Sequence, residues 1–254
     1  MSNLVFTRAA DRAAKRYQVA LLALTEVFNA GVRSADPGSQ RALLRAQTAA
    51  YEIANTFIAA ESAIIDEEVI AAGASAQRET LEALDLLDEP LDEVTQSQVT
   101  ARAQDLRNAL CLQLERDVAA VSQGLRQMAL RAHLVGRGRG VSSRMALASL
   151  RHQHATAPNF QYMDRAQRRW PSDRLVRSLW RHTLLLTWNE VAMLVMTDRG
   201  VEAAIIEHLD LNHPQRGTAI SLTERPDMLD WEAVREDVFH PNSDAWLMPS
   251  LSQS

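Results

Sequence analysis

His208, Asp210, His213, His240 and Asp244 lie close together near the end of the chain, and their side-chain types are those that ligate metals. Imidazole nitrogen and carboxylate oxygen both bind zinc. The spacing His208-x4-His213 is not diagnostic of a metal site. The single cysteine, Cys111, excludes an intrachain disulfide and a cysteine cluster. The histidine candidates for such a mixed site are His208, His213 and His240, but no metal and no cofactor is expected. His240 is expected to pack or hydrogen-bond against the terminal strand, and Asn242 to bond neighbouring backbone in a turn. Nucleophilic catalysis has as little support. There is no G-x-S-x-G, and Cys111 sits on an apolar helical stripe with no local base. Arg181 and Glu190 are nine residues apart on one predicted helix, on roughly opposite faces, so they are not expected to pair with each other. Arg181 is expected to buttress a sheet. No enzymatic role is expected for any of these residues.

A second chemistry is written between residues 126 and 181, which hold twelve arginines and only two acids, Asp164 and Asp173. Guanidinium groups bind phosphate by charge and by bidentate hydrogen bonds. Arg131, Arg137, Arg139, Arg144, Arg151, Arg165, Arg168 and Arg169 are the candidates for contact with DNA or with an acidic partner. His133, His152 and His154 lie among them. Such a patch gives sequence-independent, salt-sensitive affinity for DNA. The acidic counterweight lies elsewhere: residues 60–100 hold eleven acids and one base, Arg78, and residues 202–254 hold ten acids and three arginines. The net charge of −5 conceals this segregation. No zinc finger or convincing helix-turn-helix is present.

The elements that must carry these groups follow from periodicity. Residues 4–33 place Tyr17, Leu21, Leu24 and Phe28 on one helical face, ending near Gly31 and the turn 34–38. Asp36 and Pro37 suit the N-cap and first helical position of a second helix. That helix runs to about Ala72, with Leu44, Tyr51, Ile58 and Ile65 recurring every seven residues and Gly73 closing it. A short helix over 76–88 stops at Pro90. The longest helix spans 92–135 on the stripe Leu110, Leu114, Val118, Val121, Leu125 and Met128. Gly136-Arg137-Gly138-Arg139-Gly140 reads as a hinge; it lacks the Lys-Ser/Thr of a phosphate-binding loop. A short helix over 142–154 follows. All five tryptophans come later. Strands are predicted at 160–163, 203–208, 218–222 and 245–248. Between the first two lies a helix from 173 to 198, with Trp180, Leu184, Trp188, Val191 and Val195 on one face and Gly200 capping it. The fold class is α+β, predominantly helical. A long-helix bundle, 1–135, is followed by the Gly/Arg hinge and short helix, 136–157, a small α+β domain, 158–249, and a tail, 250–254. No run approaches the roughly 18 apolar residues of a membrane span. Met1 to Ala14 lacks an apolar signal core, so no signal peptide is expected.

The C-terminal part carries an ordered series: Phe160-Gln161-Tyr162-Met163-Asp164, Arg169-Trp170, Arg181-His182-Thr183, Asn189-Glu190, Gly200-Val201, Ile205-Ile206-Glu207-His208, Gly217 before Ile220, and His240-Pro241-Asn242 before an apolar strand and Pro249. In this order and spacing, residues 158–249 resemble the C-terminal domain of tailed-phage minor head proteins, the Mu F-like or minor capsid family. Many members carry cysteines after the first strand of this region and directly after the HPN tripeptide. Here the post-HPN residue is Ser243, and no cysteine lies between 203 and 222, so that thiol site is absent. The resemblance implies a non-enzymatic structural protein of the virion, made in the host cytoplasm and present in a few copies inside the head near the portal vertex. It would assist head assembly, DNA packaging or DNA delivery. The implied partners are the portal protein, sister copies through the long helices, and packaged DNA, with no membrane and no appended enzymatic domain. Two other classes fit parts of the pattern: a metal-dependent enzyme on His208, His213 and His240, and an intracellular helical DNA-binding regulator. Stoichiometric metal would mark the first, and specific DNA affinity surviving moderate salt the second.

Overall fold

Of the four long helices, three turn where one residue adopts a left-handed backbone. In the computed structural model, which describes residues 2–34, 39–153, 158–164, 166–223, 228–240 and 243–250, the four are α1 (Ser2–Arg33), α2 (Gln40–Ala83), α3 (Glu93–Arg139) and α5 (Ser172–Asp198). The left-handed residue is Asp85 after α2, Gly140 after α3 and Gly200 after α5, with φ of 57°, 66° and 71°. Each is followed by the same kind of hydrogen bond. Leu86 N–H donates to Leu81 O, Val141 N–H to Gly136 O and Val201 N–H to Met196 O, each at 2.9 Å. This is how a chain satisfies the last carbonyls of a helix and leaves it. At the other ends, side-chain oxygens of Ser39, Asp92 and Ser142 accept from backbone N–H groups at the starts of α2, α3 and the short α4 (Ser143–Gln153).

Two predicted breaks are thereby corrected. Gly73 does not close a helix; α2 runs through it to Ala83, fusing the two helices expected there. A Cβ on Gly73 would lie 2.8 Å from Val99 Cγ2, so the missing side chain lets α3 approach α2. Likewise Gly136 and Gly138 are helical, and the chain turns at Gly140. The N-cap of α2 is Ser39; the proposed cap at Asp36 and Pro37 falls outside the described residues, as do His154, Arg165, Pro241, Asn242 and 251–254.

The chain is α+β and predominantly helical, with a long-helix region ahead of a small C-terminal sheet. It divides into two compact units, one of Met1–Ala13, Ser62–Arg107 and Arg177–Ser254, the other of Ala14–Glu61 and Asn108–Val176. In the second unit the predicted stripe of α3 from Leu110 to Met128 is buried throughout, and Tyr17, Leu24 and Phe28 of α1 are buried as well. The α1–α3 contact is reciprocal: a Cβ on Gly124 would lie 2.9 Å from the Phe28 ring, and one on Gly31 would lie 2.8 Å from Leu125. The heptad stripe of α2 is a different matter. Its first two members, Leu44 and Tyr51, are 62% and 43% exposed, whereas its last, Ile65, is fully buried; over the first part of the helix the buried face is Ala46, Ala50 and Ala54. Alanine at every fourth position permits a close helix approach that the larger stripe would obstruct. Strands β1 (Gln161–Met163) and β2 (Arg169–Pro171) form an antiparallel hairpin pairing Tyr162 with Trp170.

In the first unit four strands, β3 (Ala203–His208), β4 (Ala219–Ser221), β5 (Leu229–Asp230) and β6 (Ala245–Pro249), lie in the order β5-β4-β3-β6. Only the β4–β5 pair is parallel. Ile206 pairs with Leu247, both fully buried. The α5 face predicted from Trp180, Leu184, Trp188, Val191 and Val195 is buried as well. Two short strands, β2 and β5, and the eight-residue α6 (Trp231–Val238), capped by Asp230, were not predicted. Strands of two or three residues and a helix of two turns span too little sequence for periodicity to register.

The second unit encloses a polar group the apolar stripes conceal. Asp117, 1% exposed, accepts from Tyr17 Oη at 2.6 Å, Ser172 Oγ at 2.9 Å and Gln113 Nε2 at 3.3 Å. Burial pushes its carboxyl above the usual range, although those three donors favour the charged form. Burial, then the Asp117 charge, push the Tyr17 phenol upward too. Between the ordinary and the raised Asp117 value the folded protein holds a proton that the unfolded chain has lost, so this group's contribution to stability falls as pH rises through that window. Two outcomes follow for urea denaturation. Asp117→Leu, which strands three buried donors, loses roughly 3 kcal/mol or more. Asp117→Asn removes the fall with pH, so its stability relative to the parent improves from pH 4 to pH 7; equal pH slopes in the two proteins would contradict the assignment.

Candidate nucleic-acid interface

Residues 118–163 contain no acid, so an arginine there has no local carboxylate three or four positions away. The structure follows from that. Arg126, Arg131, Arg137 and Arg139 on α3 and Arg144 in the first turn of α4 are all exposed. None of them makes an ion pair among the described residues. Arg137 and Arg139 occupy the last turn of α3, where the negative end of the helix dipole favours cations. Elsewhere arginine is mostly engaged. Within the second unit Arg16 holds Glu61 through two bonds of 2.7 Å. Within the first, Arg12 pairs with Glu68, Arg107 with Asp66, and Arg199 with Glu89. These acids of the 60–100 segment thus take arginines from outside the 126–181 stretch.

The other predicted arginines differ. Arg168 donates to Asp164 through Nε at 2.7 Å and through its backbone N–H at 2.8 Å. Trp170 Nε1 donates to the same carboxylate at 2.9 Å. These bonds, the Trp170 one foremost, pull the Asp164 carboxyl down to about 2. The Trp170 ring in turn carries the Arg174 guanidinium at 3.8 Å. Arg168 therefore closes the β1–β2 hairpin, while Arg169 on β2 is exposed. Arg151 lies in α4 with its side chain outside the description, and Arg165 lies outside it altogether.

The histidine candidates come together only in part. The rings of His208 and His213 stack at 3.9 Å and 17°. Each uses Nδ1 to accept a backbone N–H, from Asp210 at 2.9 Å and from Gln215 at 3.4 Å. Burial, and then His213, lower the His208 value. Among the described residues no group of three metal-ligating side chains is placed to hold an ion. His240 follows α6 and lies near His182, whose value falls through burial and the charges of Arg102, Arg235, His240 and Arg181.

Three polar residues of α5 hold the first unit together. Arg181, buried, donates to Ser243 O at 2.6 Å and to the Asp244 carboxylate, just before β6. Asn189, fully buried, accepts from Leu247 N–H at 2.8 Å and donates to Ala245 O at 3.4 Å. Its amide thus serves β6 as a neighbouring peptide would. Glu190 accepts from Nε and Nη2 of Arg102 at 2.6 and 2.5 Å, with Arg235 at 3.9 Å. Ser243 Oγ accepts from Ala245 N–H at 3.0 Å, opening the strand. The expected separation of Arg181 from Glu190 holds; the grip of Asn189 on β6 was not foreseen, since nothing local in sequence links residues 58 positions apart. Comparison of the chain with protein-family models, with curated proteins and with solved structures gives no match.

Five exposed guanidinium groups on adjoining helices, without ion-pair partners among the described residues, can bind phosphate without reading sequence. Replacing Arg137, Arg139 and Arg144 by Glu is expected to weaken duplex DNA binding equally for unrelated sequences. The slope of log affinity against log salt should become shallower by about one for each phosphate the variant no longer neutralises. Fluorescence anisotropy over a salt series checks this; an unchanged slope would remove these arginines from the interface.

Proposed function

We propose that the chain is a structural, non-enzymatic minor capsid protein of a tailed phage, acting inside the head near the portal vertex in assembly, DNA packaging or DNA delivery. The observation that carries the reading is the run of exposed arginines over Arg126–Arg144, without ion-pair partners among the described residues of a chain that pairs arginine readily elsewhere. A protein lying against packaged DNA needs affinity for phosphate and no preference among bases. The ordered series over 158–249 supports the same reading, because several of its members have structural work in common. Asp164 and Trp170 close the hairpin. Arg181 and Asn189 hold β6. Gly200 ends α5. Exposed Leu44 and Tyr51, two turns apart on α2, support self-association through the long helices, and the portal protein is the proposed docking partner. Among the described residues no helix is long and apolar enough to cross a membrane.

Quantitative mass spectrometry of DNA-filled particles of the source phage, normalised to portal and major capsid protein, tests the assignment. A copy number far below that of the major capsid protein, comparable with the portal, is expected. Absence from mature particles and procapsids, with abundant protein in the lysate, would overturn it.

A further inference from the structure

A cavity of about 320 Å³ opens beside the arginine run of α3. Its floor is apolar: the Phe28 ring, the bare backbone of Gly124 and the Met128 side chain. Phe28 and Met128 are almost fully buried, and the ring sits where a Cβ on Gly124 would collide with it. The rim is polar. Gln123, Gln127 and Asn159 bring three side-chain amides, and Arg131 brings one guanidinium. None of these four side chains has a protein hydrogen-bond partner among the described residues, although each amide carries a donor pair and an acceptor.

The volume is at the lower end of the range for small-ligand sites, too small for a helix or a duplex. The floor suits the face of a planar group. The amides suit a base edge that presents donors and acceptors together, as Asn and Gln do with adenine. The guanidinium suits a phosphate. We propose that this cavity binds one nucleotide, with the base over Phe28 and Met128, its edge on the rim amides and its phosphate on Arg131. The nucleotide is either a free mononucleotide or an unstacked one within a strand. The inference rests on the nucleic-acid reading of the same surface and adds a discrete pocket to it.

The test uses the full chain with 13C-methyl methionine, the Met128 signal being identified by Met128→Leu. Deoxyadenosine monophosphate is expected to shift that signal saturably. Deoxyadenosine should need about tenfold more ligand, and inorganic phosphate should leave the signal in place. Arg131→Ala should raise the half-saturating nucleotide concentration about tenfold, and Gln127→Ala severalfold. Both side chains are exposed, so folding is not at issue. A single-stranded oligonucleotide that saturates the shift at lower concentration than the mononucleotide identifies a strand as the source; one that does not identifies the free nucleotide. A Met128 signal unmoved by mononucleotide and oligonucleotide, or a response identical in Arg131→Ala, overturns the pocket. The two readings fail separately. Absence of the Met128 response with duplex affinity intact removes the pocket alone. Duplex affinity indifferent to the Arg137, Arg139 and Arg144 charge reversal, with the Met128 response intact, removes the surface reading alone.

Discussion

A carboxylate buried at position 117 has to be met by donors, and three side chains from distant parts of the sequence meet it. Tyr17 comes from α1, Gln113 from one turn earlier in α3, and Ser172 from the first residue of α5. Gln113 also donates to Ser172 Oγ at 3.0 Å. Ser172 N–H donates to Phe160 O, which ties the β1–β2 hairpin to the same point. Apolar packing tolerates sliding of helices by small amounts; a buried carboxyl with three directed hydrogen bonds does not. Removing any one donor leaves a buried oxygen short of a partner in a low-dielectric site. This network therefore fixes the register of α1 against α3 in its unit, and with it the Phe28–Gly124 and Gly31–Leu125 contacts. The other unit uses the same device. Arg181, Asn189 and Glu190 project from α5 and fix β6 and the start of α3 through directed polar bonds.

The charge distribution divides into two populations. Arginines near acids are consumed in holding helices and strands, as with Arg16, Arg102 and Arg181. The five from Arg126 to Arg144 in the acid-free stretch stay at the surface, where guanidinium groups remain available for phosphate. Placing them on the final turns of α3 and the start of α4 concentrates that availability on rigid helical backbone. The proposed function depends on this division. It requires phosphate affinity that is steep in salt and blind to sequence, and it requires no titrating group or metal.

Much of the architecture was legible. The α3 stripe, the tryptophan face of α5 and the strands at 203–208 and 245–248 follow from periods of 3.6 and 2 in runs long enough to register. The glycines were harder, because one residue type serves two purposes. Gly200 and Gly140 take left-handed conformations and end helices; Gly31, Gly73 and Gly124 stay helical and admit Leu125, Val99 and Phe28. Sequence alone does not tell a helix end from a close approach, which depends on the partner helix. The α2 heptads hold at Ile65 but not at Leu44 and Tyr51, where a run of alanines offers a tighter surface than the leucine and tyrosine beside it. For the site, the arginine run was legible from composition because it lacks local acids. Asp117 left a fainter signal, an acid seven residues after Leu110 and four before Val121, on the buried face of its own helix. The cavity near Arg131 left none, since Phe28 and Asn159 reach it from separate segments.

The most direct test of the account is where the protein touches DNA in the assembled particle. Ultraviolet cross-linking of DNA-filled heads, followed by mass spectrometry of the nucleotide-bearing peptides, reads that contact residue by residue. The account predicts adducts concentrated between residues 126 and 144. Adducts confined to the acidic 202–254 region, or none on this chain while other head proteins cross-link, would contradict it.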